Sequence, residues 1–395
     1  IEIIRGSSST LWGSDAATSV INIITYSGSS VDKNKKDDGV FKVAYNHEFR
    51  DNSNSLDFLW AKKFKDGDVM TSYSYSQSDG DLQNYRLLDN TVGYTGWNTN
   101  EGTHNFYLKS NYKNFKFLAR HLKYIHPDTQ DFVSNTEVTN PDATNSDRIR
   151  TLTTLHLEYN GKINREFSID TNIGYTNNIL NKTNPGSIVV VGRHVEGTNE
   201  FSEKSKYLES ILKFDSDSWN TMLGFKLSEQ DLYIKKDQGN FVNHKEDTIA
   251  AGFVQATYTG VENLKIVAGL RISKSKLRST ENEIMPKVSV LYNISNRWHT
   301  KYVYSTGFIH APLVYNDGAD GWVYNPQNMK FTQGTKLPQE VQTNEIQVGY
   351  NSNKLQASMT VFHIEMKNQF VWIGRTVPTA PAYLYTYFVC HLFDI

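Results

Sequence analysis

The chain has 395 residues, with 41 Lys and Arg against 42 Asp and Glu and a formal net charge of −1. A chain this close to neutral lacks the basic excess of a nucleic-acid-binding protein, so we expect no nucleic-acid partner. Hydrophobic residues make up only 38% and aromatic residues 13%. No apolar run is long enough to predict a membrane-spanning helix. The single cysteine, Cys390, excludes an intramolecular disulfide.

The first stretch, Ile1–Thr25, predicts a strand, a loop and a second strand. Its apolar opening breaks at Arg5-Gly6, and a loop of small hydroxyl residues follows. We expect one helical turn at Ser14–Thr18. The β-branched run Val20–Thr25 is typical of a buried strand. From composition alone, the stretch fits an ordinary hairpin-like unit of an α/β domain equally well.

Ser27–Gly39 predicts a polar linker that does not pack into a core. After it, alternating apolar and polar residues continue to the end of the chain and predict about sixteen strands of about ten residues, the length that crosses a bilayer when tilted. The predicted strands are Val40–Arg50, Ser55–Phe64, Val69–Gln77, Thr103–Tyr112, Phe115–Ile125, Thr151–Asn160, Glu166–Thr176, Lys204–Phe214, Trp219–Gln230, Thr248–Tyr258, Leu264–Lys274, Pro286–Ile294, Trp298–Thr306, Val341–Tyr350, Leu355–Glu365 and Gln369–Gly374.

The connections between these strands alternate between short turns and longer polar stretches. Lys113-Asn114 and Ser295–Arg297 are examples of short turns, whereas Ser78–Gly102, Asp231–Asp247 and Gly307–Glu340 are long. Strict alternation places all short turns on one side, as in outer-membrane barrels. A soluble β-sandwich has no reason to separate its connections in this way. A propeller would show a repeat of about forty residues, and none is present.

Within the strands, polar and apolar residues form alternating sets. In Leu264–Lys274, the apolar set is Leu264, Ile266, Ala268, Leu270 and Ile272, and Lys265, Arg271 and Lys274 are among the polar residues around it. An antiparallel sheet with one solvated face would show the same pattern. Sixteen such strands without a second layer favour an all-β, closed antiparallel barrel with a hydrated interior.

Several motifs resemble TonB-dependent outer-membrane receptors. IEIIRGSSSTLWGSDAATSVINIIT resembles the last stretch of their plug domain, with Ser7 in place of a usual Pro and Thr18-Ser19 in place of Gly-Gly. Tyr304–Pro312 resembles a Y-x-x-G-F-R-A-P stretch, with Ile309-His310 where Arg is usual. Gly334–Tyr350 is similar to the family box that contains Leu337, Glu340, Glu345 and Gly349. Thr360–Asn368 resembles the strand that follows this box.

The resemblance implies a plug remnant at 1–28, a linker at 29–39 and a 22-stranded type of barrel at 40–395, of which about sixteen strands are present. It implies a monomeric receptor in the outer membrane of a Gram-negative bacterium, in contact with outer-membrane lipid. The receptor would take up a ferric siderophore or similar small-molecule iron chelate, driven by a TonB-type energy-transducing protein. The alternatives are a cobalamin or haem receptor and a passive porin-like barrel, which would lack the plug signature.

The sequence also predicts that this chain is a truncated fragment. Ile1 enters in mid-strand without a leader, the TonB-binding box is absent, and Val389–Ile395 lacks the expected terminal strand. Strand edges left unpaired in lipid are costly, so we expect that this chain alone does not transport.

Candidate ligand-binding residues combine aromatic rings and Arg or His in the predicted loops, because such groups suit a flat anionic chelate. They are Tyr85, Arg86, Tyr94, Trp97, Arg193, His194, His310, Trp322 and Tyr324. Girdle or loop packing is the alternative role for each aromatic. Leu313–Lys336 contains no His, which disfavours haem. In the family, charged plug residues pair with the barrel wall, and the candidates for such contacts are Glu2, Arg5, Glu158 and Glu209.

No catalytic or metal-binding spacing is present. The eleven His are scattered, and neither HExxH, CxxC nor G-x-S-x-G occurs. Asp66-Gly67-Asp68 and Asp79-Gly80-Asp81 are typical of turns rather than calcium sites. We therefore expect no enzyme activity, no cofactor and no metal.

Overall fold

A computed structural model describes residues 2–5, 9–12, 19–31, 39–49, 52–78, 81–86, 92–97, 100–127, 147–182, 188–190, 193–195, 198–236, 242–279, 281–310, 313, 322–325, 330–333, 338–368 and 384–394. The chain begins with β1 (Glu2–Arg5), α1 (Ser9–Trp12), β2 (Ser19–Asn22) and α2 (Gly28–Val31). β1 and β2 pair antiparallel, with Ile3 opposite Ile21. This confirms the predicted order of strand, loop and strand. The second strand, however, ends at Asn22 rather than Thr25 and is not buried, because Ile21 is 62% and Ile23 67% exposed. Its helical turn lies at Ser9–Trp12, and the expected turn at 14–18 lies outside the described residues.

Sixteen strands of the described part of the chain form one antiparallel sheet, which confirms the predicted number and class. Its strands are β3 (Val40–Glu48), β4 (Ser53–Lys63), β5 (Gly67–Ser78), β8 (Asn100–Tyr112), β9 (Phe115–Pro127), β10 (Asp147–Lys162), β11 (Phe167–Lys182), β14 (Thr198–Asp215), β15 (Trp219–Lys236), β16 (Val242–Val261), β17 (Leu264–Ser275), β18 (Glu283–Asn293), β19 (Trp298–Ile309), β22 (Gln339–Asn351), β23 (Leu355–Lys367) and β24 (Leu384–Asp394).

Each strand pairs with the next sheet strand in the chain, in the order β3 to β24. Among the described residues, no pairing joins β3 to β24. Three separate two-stranded hairpins lie within the connections of this sheet. They are β6 (Asp81–Arg86) with β7 (Val92–Trp97), β12 (Ile188–Val190) with β13 (Arg193–Val195), and β20 (Trp322–Asn325) with β21 (Lys330–Gln333).

The short and long connections separate to opposite ends of the strands, as the sequence predicts. Lys113-Asn114 joins β8 to β9, and Glu262-Asn263 joins β16 to β17. Asn263 adopts a φ of 64°, a left-handed conformation that asparagine tolerates in tight turns. All three inserted hairpins fall in connections of the long set. We call the two ends of the sheet the short-turn end and the long-loop end.

Paired aromatic rings mark the short-turn end. Their centroids lie 4.7 to 5.0 Å apart across neighbouring strands, in the pairs Phe115–Tyr159, Phe167–Phe214, Trp219–Tyr258 and Trp298–Tyr350. Each pair stands beside a short turn. Aromatic rings gathered at one level are typical of the girdle of a bilayer-spanning barrel.

The two faces of the sheet differ in polarity. We call the face that contacts residues 2–31 the inner face, and the opposite one the outer face. The outer face exposes a band of large apolar side chains, which includes Leu157, Ile173, Leu208, Leu223, Phe225, Val254, Leu270, Ile346 and Met359. The inner face carries charged groups such as Lys116, Glu158 and Arg271. The period of two along a strand produces this separation.

Three sequence-based expectations need correction. Asp231–Asp247, predicted as a long polar loop, is mostly the continuation of β15 and β16. The linker Ser27–Gly39 was expected to remain unpacked, yet its first part forms α2 and contacts β4 and β5. The chain end forms β24, which pairs with β23 from Leu384 to Asp394. The strand predicted at 369–374 lies outside the described residues.

Candidate functional site

The N-terminal segment rests against the inner face at α1. Thr10 is 1% exposed, and its Oγ1 donates a hydrogen bond to the backbone oxygen of Met285 at 3.3 Å. Arg271 Nη1 lies 3.5 Å from the backbone oxygen of Leu11, to which it donates. α1 contacts β16, β17, β18 and β19. The tight fit depends on Gly269, because a Cβ there would lie 3.0 Å from Thr10 Cγ2.

The same segment contacts a second part of the inner face through residues 25–31. Thr25 Oγ1 lies 2.9 Å from the Tyr107 hydroxyl, and Lys109 Nζ donates to Thr25 Oγ1 at 3.1 Å. The Gly28 N–H donates to Asp68 Oδ1 at 3.0 Å. In sheet order, β9, β10, β11, β14 and β15 separate the two contact areas. The segment therefore bridges two sectors of one wall, which requires the sheet to curve around it.

The structure places the predicted plug–barrel residues as follows. Glu2 Oε2 accepts a hydrogen bond at 2.8 Å from Asn22 Nδ2, within the N-terminal segment itself. Arg5 lies in β1, opposite Ser19. Glu158, on the inner face, pairs with Lys116 Nζ at 2.8 Å.

Glu209, the fourth predicted plug–barrel residue, lies opposite Lys226 in the pairing of β14 with β15. The described contacts between the segment and the wall run instead through Thr10, Thr25 and Gly28. Sequence reasoning missed these residues because small hydroxyl residues and Gly carry no charge signal.

The inner face carries further ion pairs across neighbouring strands. Lys301 Nζ lies 3.2 Å from Glu345 Oε1, and Lys213 pairs with Asp170. Alternating charges of this kind on a partly exposed surface are typical of a hydrated interior. Each such pair contributes little to stability, because solvent screens it.

At the long-loop end, a buried polar network links three strands to the connection after β17. The Asp247 carboxylate accepts hydrogen bonds from Ser275 Oγ, from the Leu277 N–H and from Arg278 Nε at 2.7 Å. Arg278 Nη2 also donates to Gln230 Oε1 at 2.6 Å. This network fixes the connection against the sheet.

An apolar cluster lies beside this network. Leu232, Ile234 and Leu313 are buried together. Lys245 Nζ donates to the backbone oxygen of Leu313 at 2.9 Å. Leu313 belongs to the connection between β19 and β22, so the cluster holds part of that connection against β15 and β16.

Eight of the nine predicted ligand-binding residues lie on the three inserted hairpins of the long-loop end. In β6–β7, Asn84 opposes Tyr94 and Asp81 opposes Trp97, and the predicted Tyr85 and Arg86 lie on the same hairpin. Arg193 and His194 lie on β13, and Trp322 and Tyr324 on β20. The fold thus brings these residues from three distant stretches to one end of the sheet.

The ninth residue, His310, is placed differently. It is 3% exposed, and its Nε2 lies 3.3 Å from Glu283 Oε1. The Phe308 ring packs edge-on against its imidazole, with 4.7 Å between centroids. The imidazole is therefore enclosed by the end of β18 and β19 rather than presented on a hairpin.

Within the described residues, no helix is both long and apolar enough to cross a membrane.

The fold and the bridging segment define a β-sheet wall with a plug-like segment on its inner face. A family model described as TonB dependent receptor-like, beta-barrel, matches residues 5–389. The chain belongs to this family of transport receptors. This confirms the resemblance found in the opening and later motifs. A comparison with curated proteins gives no match.

Solved structures that are similar to this chain include iron and siderophore receptors. The FrpB iron transporter from Neisseria meningitidis (F3-3 variant) has a TM-score of 0.71 and 14% identity, and the match covers 93% of this chain and 61% of that one. The siderophore receptor PirA from Acinetobacter baumannii has a TM-score of 0.67 and 13% identity, and the match covers 98% of this chain and 61% of that one. A mutant of the ferric enterobactin receptor (PfeA) from Pseudomonas aeruginosa has a TM-score of 0.65 and 13% identity, and the match covers 93% of this chain and 58% of that one. The chain thus spans about three fifths of these proteins.

Proposed function

We propose that the chain is part of an outer-membrane receptor that takes up a ferric siderophore or a similar iron chelate, with energy from a TonB-type protein. The observation that carries this proposal is the N-terminal segment, which contacts the inner face at α1 and again at residues 25–31. A passive porin-like channel has no use for such a segment across its interior. Membership of the receptor family and the titles of the similar structures support the same reading.

The ligand class follows from the groups gathered at the long-loop end. The hairpins β6–β7 and β20–β21 carry Tyr and Trp residues, and Arg86 and Arg193 lie on β6 and β13. Ferric catecholate and hydroxamate complexes offer flat or anionic surfaces, which aromatic rings and guanidinium groups bind through stacking and charge. Haem is less favoured, because the imidazole of His310 is enclosed and faces Glu283 instead of solvent.

A binding experiment tests this proposal. The full chain, folded in detergent micelles, is titrated with a ferric catecholate, a ferric hydroxamate, haem and cyanocobalamin, and tryptophan fluorescence reports binding. We expect saturable quenching by an iron chelate. Replacement of Trp97 or Trp322 by Ala should weaken binding by about tenfold or more, since loss of one stacking aromatic costs about 1–3 kcal/mol.

Trp219 supplies the matched control. It is an aromatic of the short-turn end and packs against Tyr258, far from the hairpins. W219A should leave the chelate affinity unchanged. Equal weakening by W219A and W97A would contradict a site at the hairpins. Saturable binding of haem or cobalamin alone would replace the iron-chelate assignment with one of those receptor classes.

A further inference from the structure

β15 and β16 extend beyond the apolar band of the outer face. On β15 this face presents Leu223, Phe225 and Leu227, and then changes to Glu229 and Asp231. On β16 the face is apolar at Val254, and its side chains become charged at Glu246 and His244 toward the long-loop end. The charged residues lie in regularly paired parts of both strands, so the register of the sheet determines on which face their side chains lie.

Three of these residues converge. His244 and Glu246 are two apart on one strand and therefore share a face. Asp231 is the direct cross-strand partner of Glu246. His244 Nε2 lies 2.9 Å from Asp231 Oδ1 and 3.7 Å from Glu246 Oε1, and one ligand atom from each of the three residues lies within 4.8 Å of the others.

This arrangement brings two carboxylates and one imidazole together on the surface. Two carboxylates directly opposite each other in a sheet repel, and a positive charge between them removes that repulsion. The charged side chains of β14 next to these positions on this face are Lys204, which opposes Asp231, and Lys206, which pairs with Glu229. Lys204 is on the opposite side of Asp231 from Glu246 and therefore does not lie between the two carboxylates. A cation near His244 Nε2 could contact both carboxylates.

We propose that Asp231, His244 and Glu246 form a surface site for one divalent transition-metal ion, with Zn²⁺ as the best fit. An ion about 2.0–2.2 Å from each ligand atom needs those atoms about 3.4 Å apart in tetrahedral geometry. The two measured separations bracket this value. The Glu246 side chain is 75% exposed and can close the remaining distance by rotation.

The donor set determines the class of ion. An imidazole nitrogen favours Zn²⁺, Cu²⁺, Ni²⁺ or Fe²⁺ over Mg²⁺ and Ca²⁺, which prefer oxygen ligands only. Water completes the coordination, because the site is open to solvent. A bound ion would cross-link β15 to β16 where both strands leave the apolar band. The site is on the outer face and is independent of the proposed chelate site.

The test uses Zn²⁺ alone and the full chain in detergent micelles. Calorimetric titration compares the wild type with D231N, H244A and E246Q, which remove one ligand each at an exposed position. We expect the wild type to bind one equivalent more tightly than any variant, by at least about tenfold. Zn²⁺ should also raise the unfolding temperature of the wild type but not of H244A, since an ion that binds only the folded state stabilises it.

His121 provides the control. It is an exposed histidine on β9, and its Nδ1 lies 3.0 Å from Thr153 Oγ1 with no carboxylate involved. H121A should bind Zn²⁺ as the wild type does. Removal of the competing ammonium in K204M should tighten binding. Equal titrations for wild type and H244A would overturn the proposal, as would loss in H244A with no change in D231N and E246Q. Displacement of Zn²⁺ by equimolar Mg²⁺ would overturn the transition-metal assignment.

Discussion

The Gly28 N–H and the Asp68 carboxylate form the hydrogen bond that fixes α2 to the wall, at 3.0 Å. Asp68 is buried, and its Oδ1 also accepts a hydrogen bond from Asn111 Nδ2. Gly28 is required at this contact, because a Cβ would lie 2.5 Å from the backbone oxygen of Val69. The contact thus joins a residue of the predicted linker to the first strands of the sheet.

D68A should release α2 from the wall. A hydrogen bond to a charged group contributes about 1.5–3 kcal/mol, so protection of the Gly28 amide should fall by about tenfold to a hundredfold. Hydrogen exchange measured by mass spectrometry on peptides covering residues 19–31 checks this. D66A is the control, because Asp66 is exposed in the adjacent turn. Unchanged exchange in D68A would show that other contacts hold α2.

A second prediction concerns a glycine covered by an aromatic ring. A Cβ at Gly224 would lie 2.3 Å from the Phe253 ring, and that ring packs 5.3 Å from the Arg271 guanidinium, which contacts Leu11. G224A should therefore displace the ring and destabilise the chain by about 1–3 kcal/mol. The unfolding midpoint in urea measures this.

Gly252 is the matched control for Gly224. It lies on the neighbouring strand β16, and a Cβ there would meet nothing within 4 Å. G252A should leave the midpoint within experimental error of the wild type. A similar loss in both variants would mean that backbone effects, and not the Phe253 ring, set the cost.

The sheet could be predicted from sequence because its signals are local. Alternation and connection length identified fifteen of the sixteen strands, all but β24, and the opening motif identified the N-terminal unit. The continuation of β15 and β16 through 231–236 and 242–247 was missed, because the polarity of the faces reverses there: Asp231 and Glu246 are charged on the outer face, whereas Leu232 and Ile234 are buried on the inner face. The proximity of His244 and Glu246 was missed for the same reason, because two residues that are two positions apart share a face only in a strand.

Long-range contacts of the plug-like segment could not be predicted in this way. Thr10 and Met285 are 275 residues apart, and nothing in either stretch specifies the other. The sequence does carry one weak local signal for α2, a serine at its N-cap. Ser27 is its N-cap, with Oγ accepting from the Ser30 N–H at 3.3 Å, and Ser is favoured at that position.

The buried pair of Arg278 and Asp247 gives a third prediction. Their side chains are 8% and 0% exposed, and Arg278 Nε lies 2.7 Å from Asp247 Oδ2. R278M keeps the length of the side chain but leaves a buried carboxylate without its counter-charge, so we expect a loss of about 3–5 kcal/mol in unfolding free energy. K206M is the comparison, because the Lys206–Glu229 pair is exposed and should contribute under about 1 kcal/mol. Equal effects would contradict the role of burial.

The last prediction tests whether the outer face meets lipid. Leu223 is 58% exposed on that face, at the fourth residue after Trp219, and its chain neighbour Met222 points to the inner face. Arg on the lipid face near the bilayer midplane costs about 2–4 kcal/mol, whereas the same charge in a hydrated interior costs little. L223R should therefore reduce the fraction of chain that folds into lipid vesicles, and M222R should not. Folded and unfolded forms are separated by their mobility in unheated gels. If the outer face met water, both variants would fold as well as the wild type, and the apolar band would need another partner.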